Sequence, residues 1–158
     1  MKTQQTLTNT PKYDNRITIW TIGHSNRSIE TFAGLLKEHE IRTVVDIRSF
    51  PTSKIEHFKK EEMEKWLPEN GIKYIFLGKE LGGYRRGGYR AYMKTDQFRE
   101  GIEKLIEISK KYRTCIMCME PNSKYCHRRF ISAHLEVKGI EVVHILKEGQ
   151  VSLLKFKN

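Results

Sequence analysis

The stretch ITIWTIGHSNRSIETFAGLLKEHEIRTVVDI, from Ile17 to Ile47, decides the fold. Its first part, Ile17 to Ile22, is rich in β-branched and aromatic residues and stops at Gly23, which reads as a strand. Ser28 is placed as an N-cap. After it, Ile29, Phe32, Ala33 and Leu36 recur at helical spacing as far as about His39. Thr43 to Ile47 is a short apolar run of the kind buried on both faces, and Pro51 ends the extended segment. Strand, amphipathic helix and strand within some thirty residues make a βαβ unit, with a parallel pair and a right-handed crossover.

The remainder repeats the alternation. Glu61 to Leu67 predicts a helix, Ile72 to Phe76 a strand, and Thr95 to Lys111 a helix whose apolar stripe runs through Phe98, Ile102, Leu105, Ile106 and Ile108. Thr114 to Met119 predicts a strand. Cys126 to Lys138 predicts a helix, with Phe130, Ile131, His134, Leu135 and Val137 toward the core and Gly139 closing it. Ile140 to Leu146 and Val151 to Phe156 complete the strands. The expectation is one α/β domain over residues 16–158, three layers (α/β/α) around a mostly parallel sheet, after a disordered polar tail over residues 1–15.

At 158 residues, with 38% hydrophobic and 10% aromatic side chains, the chain carries one real core and lacks the composition of a disordered protein. No apolar run reaches the roughly 20 residues needed to span a bilayer, and the polar N-terminus is not a secretory signal. The charge is +10, from 29 Lys and Arg against 19 Asp and Glu. Such an excess serves solubility or favours an anionic partner, nucleic acid and phosphate-bearing molecules included. Three cysteines, an odd number, predict reduced thiols and a cytoplasmic location. Oligomeric state is not encoded in any of these features.

Ligands of open parallel sheets bind beyond the carboxyl ends of the strands. Three predicted strand exits carry polar residues that packing would not choose: Gly23-His24-Ser25-Asn26, Asp46-Ile47-Arg48-Ser49 and Cys118-Met119-Glu120. Asp46 and Arg48, two apart, share one strand face, and read either as a local ion pair or as an orienting carboxylate with an anion-binding guanidinium. Cys115 and Cys118 resemble a redox CxxC but lie on a strand, facing opposite sides; Cys115 is expected to be inert core. Cys126 is placed where a helix starts, a position that favours a thiolate. His127, Arg128 and Arg129 put cations in that first turn, which costs helix stability and suggests a bound anion. Cys118, Cys126, His127 and His24 are permissible zinc ligands, but paired knuckles are lacking, so no metal and no cofactor is expected. Gly78 to Lys94 holds five basic residues against one acidic; Tyr84, Tyr89, Arg85, Arg86 and Arg90 interleave among glycines, a composition suited to stacking on bases and pairing with phosphates. Neither a Walker loop nor a GxGxxG follows the first strand.

Thr21-Ile22-Gly23-His24-Ser25, then Asp46-Ile47-Arg48 with Pro51 and Ser53, then Leu81-Gly82-Gly83, then Cys118-x-Glu120 with Cys126-His127-Arg128, occur in that order. The combination resembles the domain-of-unknown-function family 488 over about residues 17–146. The resemblance implies a compact α/β domain and carries over no established activity. Its motif positions fall on His24, Ser25, Asp46, Arg48, Cys118, Glu120, Cys126, His127 and Arg128.

The residues therefore predict an enzyme-like site for an anionic substrate, phosphate-bearing or nucleic acid. Cys126 would be nucleophile or ligand-contacting thiol, His24 or His127 acid/base, and Asp46 or Glu120 its orienter. Ser25, Arg48, Arg128 and the Tyr/Arg loop would bind substrate. A non-catalytic nucleic-acid-binding module and a metal-dependent hydrolase remain the rival readings.

Overall fold

Three parallel ladders fix where the polar strand exits lie. In the computed structural model, which describes residues 17–153, 155 and 156, β1 (Thr18–Gly23) pairs with β4 (Thr114–Cys118) so that Gly23 faces Cys118. Between β2 (Thr43–Asp46) and β4, Asp46 faces Met117, and between β2 and β3 (Lys73–Phe76) it faces Phe76. The carboxyl ends of all four strands thus align along one edge. The full order is β3-β2-β4-β1-β5-β6. β5 (Glu141–Lys147) is parallel to β1; β6 (Gln150–Ser152) folds back antiparallel through Gly149, whose φ of +70° a side chain would resist. The expected residue 1–15 tail lies outside the described residues.

Helices cover both faces, giving the three-layer α/β arrangement. On one face, α1 (Ile29–Glu38) and α2 (Lys60–Glu69) bury Phe32, Leu36, Met63 and Leu67 against Trp20, Ile22, Val44 and Met117. Ser28 caps α1, its hydroxyl accepting from the Thr31 N–H at 3.0 Å. On the other face, α5 (Asp96–Lys111) and α6 (Arg128–Val137) bury Phe98, Leu105, Ile131 and Leu135 against Ile19, Val45 and Ile116. Thr95 caps α5 through the Phe98 N–H. Alternation along each strand sends successive side chains to opposite clusters, so both faces are apolar, as a doubly covered parallel sheet requires.

The structure corrects four local expectations. Gly78 to Lys94 is not structureless: it makes two single-turn helices, α3 (Gly78–Leu81) and α4 (Tyr89–Tyr92). Tyr89 and Tyr92 bury their rings and donate their hydroxyls to Leu81 O (2.7 Å) and Glu80 O (2.6 Å), the arrangement a buried tyrosine needs. Val137 is 71% exposed, because it stands about 200° around the helix from buried Leu135. The final strand covers only Gln150–Ser152 and ends where its pairing with His144 ends. Helix α6 begins at Arg128, not Cys126: a 3₁₀ turn over Ser123–Tyr125 precedes it, and Cys126 is left extended.

Candidate functional site at the carboxyl edge of the sheet

The polar strand exits share an edge, but the sheet divides them between its two faces. Asp46 lies on the face of Val44, under α1 and α2. There its carboxylate takes three hydrogen bonds from Arg48, Nε to Oδ1 at 2.9 Å, Nη2 to Oδ2 at 2.8 Å and the backbone N–H to Oδ1 at 3.1 Å, and a fourth from the Tyr74 hydroxyl at 2.5 Å. Arg48 spends Nη1 on Phe58 O (2.8 Å) and Thr52 O (3.3 Å), and Nη2 also reaches Met63 Sδ at 3.9 Å. This bidentate pair is buried, so Arg48 holds the 52–58 segment and offers no guanidinium to a ligand. His24 stacks on Phe58, with ring centroids 4.3 Å apart. Its Nδ1 meets Ser25 O at 2.8 Å; a carbonyl only accepts, so Nδ1 carries the proton and Nε2 faces Arg48 Nη1 at 3.4 Å. Burial pulls the His24 pKa down to about 4, with the Arg48 charge adding to the effect.

The sulfur cluster occupies the opposite face. Cys118, on the face of Ile116, brings its Sγ to 2.7 Å from Cys126 Sγ. His127 Nε2 lies 2.8 Å from Ile47 O and must donate to it, so Nδ1 is the ring atom that faces Cys126 Sγ, at 3.6 Å, where it can hold the proton the sulfur gives up. The Arg128 N–H donates to the same sulfur at 3.4 Å. Arg128 itself is fully buried: Nε donates to Cys118 Sγ at 3.1 Å, Nη1 to Thr21 Oγ1 at 2.8 Å, and Nη2 to Glu120 O. None of these partners is a carboxylate. Thr21 in turn meets His144 Nδ1 at 2.7 Å.

These contacts split the two thiols. The hydrogen bond from Cys118, helped by His127 and the Arg128 charge, pulls Cys126 down to about 4 against its own burial. Burial pushes Cys118 well up, so it is the protonated donor of the pair. Burial likewise raises Cys115, which sits in the other cluster with the α1 and α2 side chains. Arg128, buried without a carboxylate, sets its charge beside the sulfur pair through Cys118 and so favours the ionised form of Cys126.

Several expected roles are redistributed. Glu120 contributes its backbone carbonyl to Arg128, while its side chain accepts from the Asn122 N–H at 3.4 Å. Backbone carbonyls orient both candidate imidazoles, Ile47 O that of His127 and Ser25 O that of His24, in place of Asp46 or Glu120. Arg85 caps Gly82 O (2.9 Å) and Lys79 O (2.6 Å) and stacks on Tyr92, so it stabilises its own loop. Tyr89 is buried, whereas Tyr84 is 88% exposed. Arg86 and Arg90 are exposed, and Arg90 and Arg129 both lie over the Phe130 ring, at 5.2 and 4.6 Å. Ser25 closes the β1 exit at φ +51°, with its N–H on Met119 O at 2.9 Å. The glycines serve internal approach: a Cβ on Gly23 would fall 1.9 Å from Glu120 O, and one on Gly83 would fall 3.2 Å from His127 Nδ1. Thr21, Tyr74 and Ile47 O carry no sequence signal, since an apolar strand gives no hint of which backbone or hydroxyl group a distant side chain will meet. Among the described residues, no group of three or more His, Cys, Asp or Glu side chains is arranged to hold a metal ion, and no helix is long and apolar enough to cross a membrane.

Fold and site together define a three-layer α/β protein with a cysteine–histidine cluster at the carboxyl edge of its sheet. Compared with models of known families, residues 28–135 match Domain of unknown function DUF488, and the chain belongs to that family. Neither the curated proteins nor the solved structures gave a match.

Proposed function

We propose that this protein is a thiol enzyme acting on an anionic substrate, with Cys126 as nucleophile and His127 as its proton partner. The observation that supports this reading is the His127 ring. Ile47 O holds Nε2–H, so the free Nδ1 points at Cys126 Sγ and can take its proton. Cys118 stabilises the thiolate by donation, and Arg128 supplies a fixed positive charge behind it. In the step this arrangement serves, a sulfur lone pair forms a bond to an electrophilic carbon or phosphorus. The leaving group departs with the electrons of its own bond and takes the proton from His127 Nδ1. Exposed Arg86, Arg90, Lys124 and Arg129 supply the positive potential that draws an anion. The buried Arg48 and Arg128 do not contact substrate in this account. Free thiols in a working state fit the cytoplasm.

Two alkylating agents that differ only in charge test the reading. Iodoacetate, an anion, should modify Cys126 faster relative to neutral iodoacetamide than it modifies free cysteine, and salt should erase the preference. A ratio equal to or below that of free cysteine at low salt removes the anionic-substrate claim. No modification of Cys126 by either reagent removes the nucleophile.

A further inference from the structure

Two aromatic side chains at the carboxyl edge of the sheet stand mostly in water, in contact with each other. Phe50 is 68% exposed and Tyr84 is 88% exposed, and their centroids lie 5.7 Å apart at 46°. Their placement is built. Ser49 donates its hydroxyl to Gly83 O at 2.7 Å, so the residues just before the two rings are tied to each other. Gly82 has no room for a side chain, since a Cβ there would fall 2.3 Å from Ser49 Oγ. Gly83 lies against the His127 ring. Tyr84 takes φ +52°, a left-handed backbone that bulky residues avoid and that costs on the order of 1 kcal/mol or more. A strained, water-exposed tyrosine gains nothing for folding, whereas Tyr89, in the same local sequence, buries its ring.

We infer that Phe50 and Tyr84 form a stacking platform for unpaired bases of a single-stranded nucleic acid, set at the rim of the Cys126 site. The inference rests on the anionic-substrate part of the proposed function and names its class. Three features point to this ligand. Exposed flat rings that keep their outer faces free bind other flat rings, and every base has such a face. Exposed Arg86 and Arg90, close by in the chain, supply cations for the phosphates, and the protein as a whole carries +10. The 46° tilt distinguishes strand from duplex: bases in a duplex lie in near-parallel planes, while splayed bases of a single strand can each meet one ring.

A labelled oligo-dT of about 12 nucleotides, long enough to cover one such site, tests the platform by fluorescence anisotropy at low salt. The full chain should bind it and bind the same sequence in duplex form more weakly. Tyr84→Ala should weaken single-strand binding about five- to 150-fold, the range for removing one base–aromatic stack. Tyr84→Phe, which keeps the ring, should bind within about twofold of the parent. The Tyr84 side chain is exposed, so both variants should keep the parent's thermal unfolding midpoint. The platform is overturned if the unmutated protein binds no single strand, if duplex binds equally well, or if Tyr84→Ala binds within twofold. Cys126 alkylation on the same preparation separates the two claims. An unreactive thiol with Tyr84-dependent binding sinks the nucleophile and keeps the platform; a reactive thiol with Tyr84-independent binding sinks the platform alone.

Discussion

Replacing Arg128 by Met removes the side chain that ties Cys118 Sγ to Thr21 on β1 and to the Glu120 carbonyl. The guanidinium is fully buried and donates to Thr21 Oγ1, Cys118 Sγ and Glu120 O. Methionine fills much of the volume but donates nothing. Two opposing effects then compete. Relief of a buried cation favours the variant, and replacing a whole buried ion pair by apolar groups is often neutral. Here only one partner goes: Thr21 Oγ1 keeps its His144 contact, while Glu120 O loses its Arg128 donor, at about 1–3 kcal/mol, and Cys118 Sγ loses another. The Cys126 thiolate also loses the nearby positive charge, although it can limit that cost by taking up a proton. The net loss should be about 2–5 kcal/mol, a large part of the roughly 5–15 kcal/mol a domain of this size has. Urea denaturation at neutral pH, with the slope checked for constancy, measures it. A loss under about 1 kcal/mol would show that Glu120 O and Cys118 Sγ do not depend on Arg128 for their hydrogen bonds.

Cys118→Ala should shift the alkylation profile of Cys126 toward higher pH, because the hydrogen bond from Cys118 is the largest of the effects lowering it; an unchanged profile on mass spectrometry would assign the low value to His127 and Arg128 alone. His24 titrates near 4 when folded and near 6.5 when unfolded, so below about 6.5 the unfolded chain binds a proton the folded one refuses. Stability should therefore fall with falling pH between about 6.5 and 4, by up to about 1.4 kcal/mol per pH unit from this group, and His24→Asn should flatten that slope in denaturation measured across pH. Arg86→Glu with Arg90→Glu should reduce the salt dependence of single-strand binding by about 0.7 for each phosphate that no longer meets a cation, read from log K against log salt; an unchanged slope would place the phosphates elsewhere.

The βαβ reading from Ile17 to Ile47 was fully legible because strand and helix periods differ and Ser28, Gly23 and Pro51 punctuate them. The convergence of strand exits followed from parallel connectivity alone. The division of the exits between faces did not: Asp46 and Cys118 end strands that pair with Asp46 opposite Met117, and only that register shows the two side chains pointing apart. The Tyr/Arg loop shows the same limit more sharply. Gly-Gly-Tyr-Arg occurs twice, at Gly82-Gly83-Tyr84-Arg85 and Gly87-Gly88-Tyr89-Arg90. Tyr84 is left in water and Arg85 folds back onto its loop, while Tyr89 is buried against Phe98 and Arg90 stays out. Local sequence cannot distinguish the copies; what decides is that Leu81 O and the α5 surface lie within reach of the second tyrosine. The role of Ile47 as orienter was equally silent, because a backbone carbonyl has no side-chain signature.

The pH dependence of its alkylation shows whether Cys126 is a thiolate held by its neighbours. A free thiol near 8.5 is about 3% ionised at pH 7 and about 0.1% at pH 5.5, so its rate climbs about tenfold per pH unit. A thiol near 4 is almost wholly ionised throughout that range, although its lower basicity costs about two decades of intrinsic reactivity. Labelling with iodoacetamide, followed at each cysteine by mass spectrometry from pH 5.5 to 7.5, should give a nearly flat rate for Cys126. That rate should be about tenfold above free cysteine at pH 5.5 and slightly below it at pH 7, with Cys115 slow throughout. A Cys126 rate that rises tenfold per pH unit, parallel to free cysteine, would show an ordinary thiol that its neighbours do not ionise.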